Sequence, residues 1–293
     1  MLRLLALFMV PAVWGVGFLA TRWGLQGLGP FWLTEGRFLL AALLAAPFFP
    51  WKQFKEWPAA LVAAAMLLTG MLLQTIGLAH TTVAKNAFLT ALYAMFIPAI
   101  GAAFLKHRIR ALDWGMLAAA LFGVALMCEL SMDALNLGDW LTLACAVVFA
   151  LHILWLDRCA RRTKDVLQFG LAQVIGVGAL GLPVALVAEG LPIWSGTSAL
   201  PVIGLLYLTL LSTLFSFVLQ IWVQSKFVPH VAGLVFLLES PIAAVAALAI
   251  LGEAMTPAGF AGSLLISICA VVLVRRSREV SQPAPETPVL SAS

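Results

Sequence analysis

Residues 86–98 read Asn86-Ala-Phe-Leu-Thr-Ala-Leu-Tyr-Ala-Met-Phe-Ile-Pro98, and a stretch far downstream, Ala232-Gly-Leu-Val-Phe-Leu-Leu-Glu-Ser-Pro241, is built the same way. Each is an apolar run that carries a few polar side chains and ends at a proline. Behind the first come a basic turn and Asp113-Trp-Gly115, with Gly123 eight residues on. Behind the second come Leu251-Gly-Glu253 and Gly262, with Ala270 eight residues on. Pro98 and Pro241 lie 143 residues apart and Gly115 and Gly262 lie 147 apart, so the second copy carries four extra residues around Gly252-Glu253. Repetition at this distance divides the chain into two comparable halves.

Working outward from these runs, the whole chain has the same apolar character. Of 293 residues, 63% are apolar and 10% are charged, against about a quarter charged in an ordinary globular domain. No soluble fold hides that much apolar surface. A bilayer crossing takes roughly 20 apolar residues. Ending the runs at Gly, Pro and charge clusters predicts ten membrane-spanning helices, near 3–24, 31–50, 58–79, 84–105, 113–130, 138–157, 167–188, 200–224, 231–252 and 257–275. The fold class is therefore an all-α membrane protein, with residues 1–130 and 138–275 as the two halves. Residues 276–293, rich in Pro and Ser, bury nothing and are expected to be a disordered cytoplasmic tail.

Charge sets the orientation. With the N-terminus inside, fourteen of the seventeen Lys and Arg fall on cytoplasmic segments, among them Lys52, Lys106, Arg161, Lys226 and Arg275. Arg22, Arg37 and Lys85 lie near the outer ends of spans, and the outer loops hold acids such as Asp139 and Glu189. Retention of basic residues inside places both termini in the cytoplasm. Each half then holds five spans, an odd number, so the second half enters the membrane from the side opposite to the first. That makes an inverted repeat, the arrangement that underlies alternating access.

Several readings drop out. The net charge of +4 is dispersed between apolar runs and lines no single face, so nucleic acid is not an expected partner. The first 24 residues have no cleavage site and read as a retained helix, not a signal peptide. Cys128, Cys145, Cys159 and Cys269 show no ligand spacing, so neither disulfide nor metal is expected, and no cofactor motif occurs. Gly176-Val-Gly178-Ala-Leu-Gly181 matches a dinucleotide fingerprint but lies inside an apolar span with no βαβ context, and reads as a close helix–helix contact. No GxxxxGK[ST] is present, so the chain encodes no ATP-driven step.

Taken in order, these residues resemble the drug/metabolite transporter superfamily and its ten-helix EamA-type members, over roughly residues 8–275. The resemblance rests on Trp14-Gly15, Arg37-Phe38, Gln74 to Gly77, His80-Thr-Thr-Val-Ala-Lys85-Asn86, and Leu92-Tyr93 with Pro98. It continues through Gly138-Asp139, Phe149-Ala-Leu-His152, Gln173, Gln220, Glu239-Ser-Pro241 and Gly252-Glu253. It implies a multi-pass protein of the bacterial inner membrane that exports or exchanges small metabolites, with the YddG-type exporters of aromatic and other apolar amino acids as the nearest kind. The partners it implies are a small-molecule substrate and the lipid bilayer, with the protein a monomer or homodimer.

Polar side chains in hydrocarbon cost several kcal/mol unless they face a cavity or a partner, so they are the candidates for a substrate pathway. Glu239 stands two residues before Pro241, which frees a backbone carbonyl; it suits a proton or a cationic substrate, or a structural pairing. Lys85 and Asn86 open the fourth span, where a helix N-terminus favours a substrate carboxylate, although Lys85 also has the reach to snorkel outward. Asn86, Thr90 and Tyr93 share a face, and Gln74 of the preceding span is a further pathway candidate. His152 and Trp155, three residues apart, share another, and a histidine there binds substrate, shuttles protons or is satisfied by a helix carbonyl. Ser212, Ser216, Gln220 and Gln224 form a drifting stripe, of which Gln220 is assigned to the cavity. Trp14 and Phe18 offer an aromatic lining, with Trp a cation–π partner, while Trp51, Trp57 and Trp140 fall at predicted interfaces. Pro98 and Pro241 are the expected kinks. An intramembrane transferase is the alternative enzyme reading, disfavoured because no nucleophile or acid–base cluster is present; no residue is assigned a catalytic role. A channel is disfavoured by uninterrupted helices and the lack of a filter-like loop, and a non-transporting sensor is distinguished from a transporter by flux alone.

Overall fold

The computed structural model describes residues 2–105, 110–127, 135–252 and 255–280, and these residues are helices and their connections. The chain enters through α1 (Leu2–Gly24), α2 (Pro30–Ala45) and α3 (Trp57–His80). Next come α4 (Val83–Ala91), α5 (Tyr93–Leu105) and α6 (Ala111–Met127). After them run α7 (Leu137–Ala160), α8 (Val166–Glu189) and α9 (Leu200–Tyr207), which continues through a π-helical stretch, Leu208–Phe215, into α10 (Ser216–Gln224). The last helices are α11 (Pro229–Phe236), α12 (Glu239–Leu251) and α13 (Pro257–Val280).

Helix starts follow from local chemistry. Pro30, Pro58, Pro201, Pro229 and Pro257 stand in the first two helical positions, where the missing N–H has no partner to lose. Elsewhere a side-chain oxygen caps the first turn. Thr82 accepts from the Lys85 N–H, Asp165 from those of Leu167 and Gln168, and Asn136 forms a capping box with Asp139. The cap of α2 comes from far away: the Glu189 carboxylate accepts from the N–H groups of Phe31 and Trp32, both at 3.1 Å. Two glycines close helices in the positive-φ region, Gly190 after α8 and Gly252 after α12.

Eight helical stretches among the described residues are long and apolar enough to cross a membrane, with α9, the π stretch and α10 counting as one. The fifth and tenth expected spans are shorter apolar segments, Ala111–Leu126 and Pro257–Val272, and the helices holding them, α6 and α13, pack on each other. Gly123 allows this contact, because a methyl group there would come within 2.7 Å of the Gly262 carbonyl oxygen. α13 runs on to Val280, so the segment expected as tail begins with helix; residues 281–293 lie outside the described residues. Lipid-facing leucines and phenylalanines stay open on the outside, with Leu43, Phe122 and Leu264 each more than half exposed.

The helices expected to be uninterrupted in spans four and nine are broken. α4 ends at Ala91 and α5 starts at Tyr93, while α11 ends at Phe236 and α12 starts at Glu239. At each break the backbone switches to tighter i→i+3 hydrogen bonds, Leu92 to Leu89 in one and Leu237 to Leu234 and Leu238 to Val235 in the other. The breaks stand before Pro98 and Pro241 and not at them. For Pro241 the cause is direct: a proline clashes with the carbonyl four residues earlier, here that of Leu237.

Packing follows a pattern of pairs. α3 lies on α7, and α1 lies along α9, the π stretch and α10. α4 and α5 touch α7, as α12 and α11 touch α1. α2 lies on α8, α4 on α12 and α5 on α11. The glycines of the false fingerprint serve these contacts: Gly178 faces Phe38, Leu39 and Ala42 of α2, and Gly176 faces Ala64 of α3. Gly181 leaves room for the Glu35 carboxylate.

Candidate functional site

A cavity of about 60 Å³ lies at the centre of the bundle. From α1 it takes Trp14, Gly17, Phe18 and Thr21, and from α3 Met71, Gln74 and Leu78. α4 and α5 bring Asn86, Thr90 and Tyr93. Across from them α7 contributes Phe149, His152 and Ile153, and the α9–α10 helix contributes Ser212, Phe217 and Gln220. Arg37 of α2 and Glu239 of α12 complete the wall. The breaks in spans four and nine fall at this level, so Tyr93 and Glu239 each stand at the first residue of a helix segment.

The polar groups are held by one another. Asn86 donates to Thr142 Oγ1 at 2.7 Å and to the Gln74 carbonyl at 3.2 Å, while Gln74 donates to Thr90 Oγ1 at 3.2 Å. Thr142 in turn donates to the Gly138 carbonyl at 2.7 Å. This chain joins α3, α4 and α7 where Gly77 and Gly138 let the backbones meet: a methyl group on Gly138 would approach the Gly77 carbonyl to 2.6 Å. His152 Nε2 lies 2.9 Å from Gln173 Oε1, so its partner is a side chain of α8 and not a helix carbonyl. Glu239 is buried, and among the described residues its Oε1 has no hydrogen-bond partner; the Tyr93 hydroxyl stands beside this carboxyl.

Arg37 differs from its expected place near the outer end of a span. It lies in the middle of α2, only 5% exposed, and turns its guanidinium into the cavity wall. Nε donates to Thr213 Oγ1 at 2.6 Å and Nη2 to Ser212 Oγ at 3.0 Å. Both hydroxyls belong to the π-helical stretch. The sequence stripe of Ser212, Ser216 and Gln220 points to this wall, although sequence alone assigns only Gln220 to the cavity. Hydrogen bonds from i to i+5 fit more residues into each turn, and that offsets the drift which four-residue spacing has on an α-helix.

Trp14 is set firmly. Its indole N–H donates to the Ser212 carbonyl at 3.3 Å, and its ring packs at 5.4 Å against both Phe217 and Phe236. Of the ten residues expected along a pathway, Trp14, Phe18, Gln74, Asn86, Tyr93, His152, Gln220 and Glu239 meet at the cavity. Two do not. Lys85 makes an ion pair of 2.5 Å with Asp139, whose side chain has no exposure, and the Thr81 hydroxyl donates to the same carboxylate at 2.9 Å. The Asp139 charge thus takes up Lys85, for which the sequence allows either a substrate carboxylate or the outer interface as partner. Trp155 donates its N–H to the Ala59 carbonyl at 3.0 Å and packs in a separate apolar cluster between α3, α7 and α8.

The sequence matches the EamA-like transporter family in two blocks, residues 1–128 and 136–275. A protein of Archaeoglobus fulgidus described as an uncharacterized transporter is 26% identical over 272 residues, which cover 93% of this chain and 85% of that one. A solved crystal structure superposes with a TM-score of 0.73 over 95% of this chain and 98% of its own; at 16% identity the likeness is one of fold.

Proposed function

We propose, from the premise that this chain belongs to the EamA-like transporter family, that it is a secondary transporter which exports or exchanges small metabolites, foremost amino acids with aromatic or other apolar side chains. The observation that carries this reading is the central cavity, to which helices from both family-matched blocks contribute walls. Its aromatic rings and Met71 suit an apolar body, and its few polar groups suit the charged ends of a small zwitterion.

Alternating access is the mechanism we assign. Five helices per half make an inverted repeat, and the packing supports it, because exchanging the halves maps each contact onto another. The contact of α3 with α7 becomes that of the α9–α10 helix with α1, and α4–α5 on α7 becomes α11–α12 on α1. The pairs α2–α8 and α6–α13 map onto themselves. Two halves of similar build offer two similar states, one open to each side. The distribution of its Lys and Arg supports both termini in the cytoplasm, and the family supports a bacterial inner membrane as the setting.

The test is flux of radiolabelled aromatic and aliphatic amino acids in proteoliposomes. Saturable uptake or counterflow is expected, with Glu239→Gln reducing it by about tenfold or more because the substitution removes an ionisable group from the cavity wall. If a pH gradient accelerates the wild type and leaves Glu239→Gln unaffected, this carboxyl couples protons; indifference in both makes the protein a facilitator. Absence of saturable flux for every amino acid overturns the substrate class.

A further inference from the structure

We infer that Arg37, together with the hydroxyls of Ser212 and Thr213, forms an anchor for the carboxylate of the transported molecule. The inference rests on the reading of the central cavity as the substrate chamber and names the residue that selects its contents.

The first observation is a buried charge without a counter-charge. Arg37 lies in the membrane-spanning part of α2, yet among the described residues the ion pairs join Lys85 to Asp139, Arg161 to Asp157 and His230 to Asp113, and none includes Arg37. Its two hydrogen bonds go to neutral hydroxyls. Such bonds fix the direction of the guanidinium but leave its charge uncompensated, which is costly away from water. Glu239, the carboxyl that also lines the cavity, does not neutralise it within ion-pair distance.

The second observation is what remains open. Nε and Nη2 are engaged, whereas among the described residues Nη1 forms no hydrogen bond, and Arg37 borders the cavity. Ser212 borders it as well. A hydroxyl that accepts from arginine keeps its own proton to donate. A carboxylate docked here receives one N–H from Nη1 and one O–H from Ser212, a charge-assisted pair of the kind arginine favours. A single guanidinium matches a single negative charge. Next to it Phe217 and Trp14, their rings 5.4 Å apart, line the cavity and supply the surface for an apolar body, while Phe38 stacks behind Phe217 at 5.7 Å.

The third is construction. Ser212 and Thr213 are neighbours in sequence, and on a regular α-helix their side chains diverge by about 100°. The π-helical stretch brings both to one guanidinium. Gly17 keeps the approach clear, since a methyl group there would come within 3.1 Å of Ser212 Oγ.

The experiment measures binding to purified full-length protein by titration calorimetry, with three probes of one skeleton: phenylalanine, phenylethylamine, which lacks the carboxylate, and phenylpropionate, which lacks the ammonium. Wild type is expected to bind both carboxylate-bearing probes more tightly than the amine. Arg37→Gln should weaken those two by about tenfold or more while leaving the amine unchanged, and Arg37→Lys, which keeps the charge and loses the fork, should fall between. If Arg37→Gln does not fold, the preference within wild type and the partial loss in Arg37→Lys decide the matter. Tighter binding of the amine, no binding of either carboxylate, or an equal loss of all three probes in a folded Arg37 variant overturns the anchor. The same probes in proteoliposomes separate the two proposals: carboxylate binding that needs Arg37 but gives no flux removes the transporter reading and keeps the anchor, whereas flux indifferent to Arg37 does the reverse.

Discussion

Asp139 is buried beside Lys85, whereas Asp157 and Arg161 meet one turn apart with the arginine 55% exposed, and the two ion pairs differ in worth accordingly. Lys85→Met leaves a buried carboxylate without its cation, a loss of about 3 kcal/mol. Asp157→Asn removes a surface pair worth about 0.5 kcal/mol. Unfolding in mixed micelles with added SDS reads both, and Lys85→Met combined with Asp139→Asn should regain most of the first loss. Thr142→Val removes the acceptor of the Asn86 amide at 2.7 Å and should cost about 0.6 to 2 kcal/mol in the same assay, the range of interhelical hydrogen bonds in membranes. The sequence made these residues visible as rare polar groups in apolar runs but left their partners hidden. Asp139 is 54 residues from Lys85, and Ser212 is 175 from Arg37. A local pattern tells which side chains need an explanation; only the packing of distant helices tells which of them explain one another.

At the scale of elements, the π-helical stretch of residues 208–215 makes the sharpest prediction. Leu210 faces outward, and deleting it should let the helix return to regular α geometry while still spanning the bilayer. Residues beyond the deletion then turn by about 100° relative to those before it. Ser212 and Thr213 leave Arg37, and binding of carboxylate-bearing probes should fall by about tenfold or more with little change in expression. Binding that survives the deletion would show that the wide turn has no part in the site. The extra width was not legible beforehand, since Leu208 to Phe215 differs in no residue type from an α-helix of a membrane protein. The helix breaks were half legible. Pro98 and Pro241 announced a departure from regularity, but its position depends on which carbonyls remain unclaimed upstream, and so on hydrogen bonds that no composition reports.

For the molecule as a whole, the cavity is closed by unequal barriers. Toward the end where α1 finishes and α4 starts, the seal is a small apolar cluster of Phe18, Leu78, Val83, Ala87 and Ala243. Toward the other end lies the large core that holds Leu7, Val10, Ile97 and Val231. The smaller seal has less to unpack, so Thr21, on the cavity wall and nearly one turn closer to that end than Phe18, is the place to watch. In a cysteine-free background Thr21→Cys should react with a membrane-impermeant maleimide added outside, and a transported substrate should change that rate several-fold by shifting the two states. An unchanged rate in the presence of a transported substrate rules out rocking about this cavity. A reporter fused after Val280 that is active only in the cytoplasm should be active, as the asymmetry of basic residues requires. Apolar runs and their punctuation laid out the order of the helices in advance, because the bilayer admits few alternatives. The interior surfaces, where α6 and α13 meet through Gly123, needed the third dimension.

Trp14 has a use beyond the one described for it. Its indole is pinned by the Ser212 carbonyl and by two phenylalanine rings, with one face left to the cavity. The molecule therefore carries its own fluorophore at the spot a ligand would cover or dry. The part of its emission that responds to a bound compound should vanish in Trp14→Phe while the signal of the other nine tryptophans persists. Occupancy then becomes a colour change that can be followed in real time, in detergent or in a vesicle, with no label attached.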